Sequence, residues 1–228
     1  YRRQRQMCIR DSCAVGGGLI EVLVSPIIES CPSDSKSGSM SLLHSFYCWG
    51  QAAVVLLSTL FFTVCGIDNW RILTVIWAVV PIVNAFTFTK VPVPQPVEEG
   101  AAMSAKQLFS SRGFGILILL MICSGAAELA ISQWASAFAE AALNVNKTVG
   151  DLMGPCLFAI LMGVSRAFYS VFSRRTGLVR FMAVSGILCF IGYLTASLSP
   201  FPALSLAGCA LCGFSVGIFW PGTLSIAA

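Results

Sequence analysis

Long apolar runs dominate the chain, and short polar stretches separate them. Seven of these runs have the length, about 20 residues, that crosses the hydrocarbon of a bilayer as a helix. They lie at about 13–30, 42–65, 69–89, 114–141, 149–173, 178–198 and 203–225. Because the runs are continuously apolar and do not alternate with polar residues, they predict helices and not the strands of a barrel. The pattern predicts an all-α integral membrane protein.

Composition leads to the same prediction. Of the 228 residues, 57% are hydrophobic and only 11% are charged, and the mean hydropathy is +0.83. Soluble domains have about 25% charged residues, so this chain has too little charge to cover a soluble surface. The net charge of +4 falls mostly on residues 1–12, where four arginines and Asp11 sum to +3, which leaves +1 for the other 216 residues. This distribution does not indicate a nucleic-acid partner.

One connector is longer than the others and divides the chain. It covers residues 89–112, where Pro92, Pro94 and Pro96 disfavour a helix and Lys, Glu and Gln favour water. It predicts three spans in an N-terminal half at 13–89, a linker at 90–112, and four spans in a C-terminal half at 113–228.

The distribution of positive charge predicts which side of the membrane the linker occupies. If the linker is cytoplasmic, the inside loops hold seven Lys and Arg residues and the outside loops hold two, Arg71 and Lys147. The inside residues are Lys36, Lys90, Lys106, Arg112, Arg174, Arg175 and Arg180. We therefore expect a multi-pass protein of a bacterial cytoplasmic (inner) membrane.

Both ends of the given sequence have unusual features. The segment YRRQRQMCIRDS at residues 1–12 places four arginines outside, against the charge rule, and resembles translated sequencing-adapter read-through. We expect it to be non-native, although an ordinary basic segment is the alternative. Nothing at the start resembles a signal peptide, and the chain stops at SIAA within or at the end of its last run. These features predict an internal fragment of a longer protein.

The first and last runs share a spacing. Gly18-LIEVLVS-Pro26 and Gly213-FSVGIFW-Pro221 have a glycine and a proline eight residues apart, at equivalent places on either side of the linker. Two parallel repeats of six spans would give this arrangement. The layout resembles the major facilitator superfamily, and it implies a partial major facilitator fold with seven of an expected twelve transmembrane helices, about helices 4 to 10.

Within that superfamily the chain resembles the fucose–proton symporter family. The segments GGGLIEVLVSP and SLLHSFYCWG are similar to the fourth and fifth helices of that family, and Glu21, Pro26, Phe46 and Gly50 match its pattern. Ser25 stands where the family has Asn, and His44 stands where it has Gln. The stretch GAAELAISQW, at 125–134, resembles the seventh helix. The resemblance implies that Glu21 serves proton coupling and sugar binding, and that Ser25 and His44 lie at substrate-binding positions.

Two carboxylates inside the apolar runs are candidates for proton coupling. Glu21 shares a small, polar helix face with Gly17, Gly18 and Ser25. A carboxylate at bilayer depth costs at least about 2.5 kcal/mol, so it faces a partner or a water-filled cavity. The alternative is that it caps a neighbouring helix or pairs with an arginine outside this chain. Glu128 lies in a stripe with Ser124, Ser132 and Ser136 at four-residue spacing, for which interhelical packing is the alternative to a cavity lining.

Further polar residues are candidates for substrate binding or gating. Gln133 and Trp134 can hydrogen-bond to a sugar and stack on it, and Asn84 is the one amide in the run at 69–89. The residues GVSR and SRRTG, within 163–177, resemble a degraded copy of the superfamily's cytoplasmic signature, which implies that Arg166 gates the inside-closed state. Anchoring by the positive-inside rule is the alternative for these arginines.

No enzyme signature is present in the sequence, and we predict no catalytic residue, no metal and no cofactor. The ten cysteines are scattered, and we expect most to pack as small hydrophobic residues. The sequence thus predicts a monomeric secondary transporter in the lipid bilayer. We predict that it moves a small polar solute, most simply a sugar, together with protons by alternating access. The alternatives are a drug or metabolite exporter of the same superfamily and a non-transporting membrane sensor.

Overall fold

The computed structural model describes residues 2–92 and 104–227, and these residues form ten α-helices and no strand. The helices are α1 (Arg2–Ser30), α2 (Lys36–Cys65), α3 (Trp70–Phe88), α4 (Ala105–Ser110), α5 (Arg112–Leu143), α6 (Lys147–Asp151), α7 (Leu157–Phe172), α8 (Leu178–Leu198), α9 (Pro202–Val216) and α10 (Phe219–Ala227). A 3₁₀ turn at Ile67–Asn69 precedes α3, and a π-helical turn at Leu152–Cys156 joins α6 to α7. The all-α prediction is confirmed.

Six helical stretches within the described residues are long and apolar enough to cross a membrane. They are Lys36–Cys65, Ile67–Phe88, Arg112–Ala141, Lys147–Phe172, Leu178–Leu198 and Pro202–Ala227. They correspond to the last six predicted runs. The first predicted run, 13–30, lies within α1, which is helical but is not one of these six. Residues 93–103 of the predicted linker lie outside the described residues. Beyond its prolines, the linker contains the short helix α4, which Ser104 and Gln107 stabilise with a capping box.

Prolines interrupt two of the six stretches. Proline has no backbone N–H, so the carbonyl four residues earlier in a helix loses its intrahelical donor. Pro155 lies in the π-helical turn between α6 and α7. Pro221 lies in α10, just after the turn at Gly217 and Ile218 that separates α9 from α10. The carbonyl without an intrahelical donor at this second break is that of Gly217, and it faces the site described below.

The two halves of the chain meet where α2 packs against α7. Small residues allow the close approach, as in other membrane helix pairs. The Ser41 hydroxyl donates to the Arg166 carbonyl at 2.8 Å, and the Ser35 hydroxyl donates to that of Ser173 at 2.8 Å. Further along, Ala52 packs against Cys156 and Ala159. The two helices therefore run antiparallel along this contact.

The rest of the core is built mainly by the C-terminal half. Helices α5, α7, α8 and α9 contribute most of its buried side chains, and α2 adds Cys48. The members of this cluster are Cys48, Ile131, Ala135, Phe158, Met162, Cys189, Cys212 and Val216. Its cysteines are free thiols and occupy packing positions, as small hydrophobic residues do.

Candidate functional site

A pocket with a volume of about 470 Å³ opens between five helices from both halves of the chain. Helices α1 and α2 supply one wall, and α5, α7 and α10 supply the other. Its chemically active side chains are Glu21, His44, Tyr47, Glu128, Arg166 and Trp220. Most of the remaining lining is aliphatic, and glycines at positions 17 and 125 leave open space beside the backbone. The pocket therefore has apolar walls with a small convergent polar set, which is typical of small-molecule sites.

Arg166 lies at the base of this set. It is 2% exposed, and no other charged residue among those described is classed as buried. Its Nε donates to the Gly217 carbonyl at 2.7 Å, and Nη1 donates to the His44 carbonyl at 2.8 Å. The Gly217 carbonyl is the one left without a helical donor by Pro221, so the guanidinium replaces the missing N–H. Nη1 also lies 3.1 Å from the Cys48 sulfur. Burial of this charge is thus compensated from several helices.

The two carboxylates of the pocket have different surroundings. Glu128 forms an ion pair with Arg166, with 3.4 Å between Oε2 and Nη2, and its side chain is 16% exposed. Glu21 has no hydrogen bond or ion pair through its carboxylate within residues 2–92 and 104–227. With His44 neutral, two carboxylates and one guanidinium leave one negative charge in excess. That charge belongs to the unpaired Glu21.

The other polar groups of the site line or adjoin the same pocket. His44 Nε2 is 3.4 Å from the hydroxyl of Ser25, which lies four residues after Glu21 on α1. The Tyr47 ring centroid is 6.0 Å from the guanidinium carbon of Arg166. The Trp220 indole nitrogen is buried and has no hydrogen-bond partner among the residues that the structure describes. The site therefore offers carboxylate acceptors and aromatic faces.

The structure brings five of the predicted site residues together. Glu21, His44, Glu128 and Arg166 line the pocket, and Ser25 contacts His44 beside it. The predictions from the two resemblance segments and the serine stripe thus converge on one place. The roles assigned to these residues stay predictions.

Three predicted substrate residues lie elsewhere. Gln133 and Trp134 are exposed, Trp134 at 70%. They follow Glu128 by five and six residues, which rotates their side chains by about 140° and 240° around the helix, away from the pocket-facing side. Asn84 is exposed on α3, a helix in which Leu73 is the buried residue among those described. None of these three side chains lines the pocket described above, and their substrate-binding roles stay predictions.

Arg166 was predicted near the cytoplasmic end of its span, and the structure adds contacts that the motif did not suggest. Its guanidinium points to Glu128 and into the pocket. Tyr47 was missed, although its position three residues after His44 places both on one helix face. Gly217 was also missed, although the proline four residues later marks its carbonyl as lacking a donor.

A second polar cluster joins α5 to α6. The Ser136 hydroxyl donates to Asp151 at 2.5 Å and lies 3.1 Å from a Glu140 carboxylate oxygen, and Lys147 pairs with Asp151 at 3.0 Å. Ser136 is the last serine of the stripe that carries Glu128, so the stripe extends from the pocket to this cluster. In the part of the chain that the structure describes, no group of three or more His, Cys, Asp or Glu residues could hold a metal ion.

Six membrane-length helices, four of which line a pocket with charged side chains, define a multi-pass integral membrane protein. The family model described as Major Facilitator Superfamily matches residues 13–228. The chain belongs to this superfamily, whose members are membrane transporters. No curated protein and no solved structure matches the chain.

Proposed function

We propose that the protein moves a small polar solute, a sugar, across a bacterial cytoplasmic membrane together with a proton, by alternating access of its two halves. The observation that carries the proposal is Glu21, an unpaired carboxylate in a pocket that both halves line. An ionisable group at bilayer depth is expensive and marks a proton or substrate pathway. The resemblance to the fucose–proton symporter family at residues 16–50 supports the same role.

The two carboxylates fit different tasks in this proposal. Glu128 already has Arg166 as a partner, so it needs neither a proton nor a solute to compensate its charge. Glu21 lacks such a partner among the described residues. A proton on Glu21 would remove the excess negative charge of the pocket and favour entry of a neutral solute. Glu21 is therefore the residue that we assign to proton coupling.

The remaining groups of the pocket suit a polyol or sugar ring. Carboxylates accept hydrogen bonds from hydroxyl groups, and the imidazole of His44 can donate or accept one. Tyr47 and Trp220 also present aromatic faces that can pack on the C–H face of a sugar. The volume of about 470 Å³ lies within the usual range for small-molecule sites, about 300–1,000 Å³.

The test is uptake by the full-length protein in proteoliposomes, with an acidic outside, over a panel of radiolabelled sugars that includes L-fucose and common hexoses. We expect one or more sugars to accumulate against their gradient. Glu21→Gln should abolish accumulation and retain exchange of labelled for unlabelled sugar, because the amide cannot carry the proton. Glu29→Gln is the matched control, since it makes the same change on the same helix outside the pocket.

Two results would contradict the proposal. Equal gradient-driven accumulation by Glu21→Gln and the parent would exclude Glu21 as the coupling residue. If the pH gradient does not change uptake and no sugar of the panel is transported, the sugar–proton assignment is excluded.

A further inference from the structure

We infer that Cys189 and Cys212 form an oxidation site within the membrane-spanning helices, at which an organic hydroperoxide converts the two thiols into a disulfide between α8 and α9. Cys189 is the thiol that meets the oxidant, and Cys212 is the thiol that closes the disulfide. The proposed transport uses neither residue, so the inference does not depend on which solute is carried.

The two thiols are neighbours across the contact between α8 and α9. The Cys212 sulfur lies 3.6 Å from the Cys189 carbonyl oxygen, and the two thiols are within hydrogen-bonding distance of each other. A glycine makes room for this contact, since a Cβ atom at Gly192 would lie 2.7 Å from the Cys212 sulfur. Both cysteines are free thiols. They therefore have the proximity that a disulfide requires.

Cys189 is the member of the pair that an oxidant can reach. A second cavity, with a volume of about 600 Å³, lies between α5, α8 and α10, and Cys189 forms part of its wall. Cys212 does not line this cavity and is 0% exposed, whereas Cys189 is 6% exposed. A molecule in the cavity therefore meets Cys189 first, with Cys212 next to it.

The wall of this cavity favours an apolar oxidant. Its three hydroxyl groups, those of Ser124, Tyr193 and Thr223, all donate to backbone carbonyls. Most of the remaining lining is apolar and includes two phenylalanines. A hydroperoxide with a hydrocarbon group gains free energy by burial there, whereas hydrogen peroxide loses its hydrogen bonds to water. Oxidised lipids supply organic hydroperoxides inside a membrane.

The reaction takes two steps. The Cys189 sulfur attacks the terminal oxygen of the hydroperoxide, the O–O bond breaks, and the alkoxide leaves with the Cys189 proton as an alcohol. The product is a sulfenic acid, which condenses with a thiol. The Cys212 sulfur attacks it, and the hydroxyl leaves with the Cys212 proton as water. The two sulfurs lose two electrons, which reduce the O–O bond. A hydrogen bond from Cys212 stabilises negative charge on Cys189 during the first step.

The experiment follows the disulfide by mass spectrometry. The full-length protein in liposomes is treated with cumene hydroperoxide or hydrogen peroxide at equal concentration, and free thiols are then blocked in denaturant with N-ethylmaleimide. Chymotrypsin cleaves at Phe190 and Tyr193, between the two cysteines. A disulfide therefore appears as a joined peptide pair that dithiothreitol separates. Each rate is divided by the rate of thiol loss that the same oxidant causes in denatured protein.

We expect cumene hydroperoxide to form the Cys189–Cys212 disulfide at least about tenfold faster than hydrogen peroxide after this correction. Cys212→Ser should abolish the disulfide and leave a sulfenic acid on Cys189, which dimedone traps. Cys209→Ser is the matched control, because it makes the same change one turn earlier on α9. It should stay within about twofold of the parent.

A second pair of variants tests entry through the cavity. Gly186 lines the cavity, and an added Cβ there meets no atom within 4 Å, so Gly186→Phe fills the space without displacing the backbone. It should slow the reaction with cumene hydroperoxide about fivefold or more. Ile187→Phe is its control, since Ile187 is 63% exposed on the same helix and does not line the cavity. It should react at the parent rate.

Several outcomes would overturn the inference. It fails if the folded parent forms no Cys189–Cys212 disulfide, or if hydrogen peroxide forms it as fast as cumene hydroperoxide after the correction. It also fails if Gly186→Phe reacts as fast as Ile187→Phe, because the oxidant would then not pass through the cavity. If Cys212→Ser does not fold, the comparison of Gly186→Phe with Ile187→Phe decides alone, since both variants keep the two thiols.

Discussion

The contact between α8 and α9 supports a quantitative prediction for Gly208→Ala. A Cβ atom at Gly208 would lie 2.6 Å from the Ala196 backbone nitrogen and 2.7 Å from the Gly192 carbonyl oxygen. Ordinary van der Waals contacts of such an atom begin at 3.4 Å, so the overlap is 3.4 − 2.6 = 0.8 Å. Both obstructing atoms belong to the backbone, so no side chain can rotate away. The two helices must separate.

The expected cost follows from two opposing terms. Overpacking a core costs about 1–3 kcal/mol, and a backbone clash belongs in the upper half of that range. Replacing a helical glycine by alanine returns about 0.5–1 kcal/mol. The net effect is a loss of about 1–2.5 kcal/mol in the free energy of unfolding. For a domain of 150–250 residues this lowers the melting temperature by about 2–10 °C.

The melting temperature is measured on the full-length protein in detergent with a dye that fluoresces on reaction with thiols. Cys189 and Cys212 lie on the same helix pair at 6% and 0% exposure, so they become reactive when this contact opens. The matched control is Gly186→Ala on α8, where an added Cβ meets no atom within 4 Å. It should melt at or slightly above the parent. The reasoning is refuted if Gly208→Ala melts at or above Gly186→Ala.

Two further predictions concern polar contacts of different burial. Tyr193→Phe removes a hydrogen bond of 2.7 Å from the Tyr193 hydroxyl on α8 to the Ala127 carbonyl on α5. We expect the free energy of unfolding to fall by about 0.5–1.5 kcal/mol. An unchanged melting temperature in the same assay would show that the bond contributes nothing. Asp34→Asn breaks the exposed pair with Arg174 and should leave the melting temperature unchanged within error at physiological salt; a loss of several degrees would contradict the weak contribution expected of an exposed pair.

The transmembrane helices could be predicted from the sequence because the signal is local. A run of about 20 apolar residues has one economical conformation in lipid, the helix, in which all backbone groups are satisfied within the segment. The run predicted at 178–198 coincides with α8, whereas the run at 42–65 begins six residues after the start of α2 and the run at 13–30 covers only the second part of α1. The interruptions within these helices could not be predicted in the same way, since hydropathy does not distinguish the π-helical turn before α7 or the turn at Gly217 from a continuous helix.

The site could be predicted only in part because it depends on which helices are neighbours. Helix periodicity placed Glu21 and Ser25 on one face, and Glu128 on another polar face, without saying that these faces meet. The structure brings them to one pocket with His44. Gln133 and Trp134 adjoin Glu128 in sequence but lie on other sides of α5, where proximity along the chain does not mean proximity in space.

Arg166 illustrates how the missing information was partly available in the sequence. A proline inside an apolar run leaves a carbonyl without a donor four residues earlier, and a buried arginine needs acceptors, so Gly217 and Arg166 have complementary requirements. The same requirements explain why the residue is an arginine. Its planar group carries five N–H donors in fixed directions, and these reach α2, α5 and the α9–α10 turn at once. A lysine has one nitrogen and could satisfy only part of this set. The residue type at 166 therefore follows from the number and direction of the groups around it, and not from charge alone.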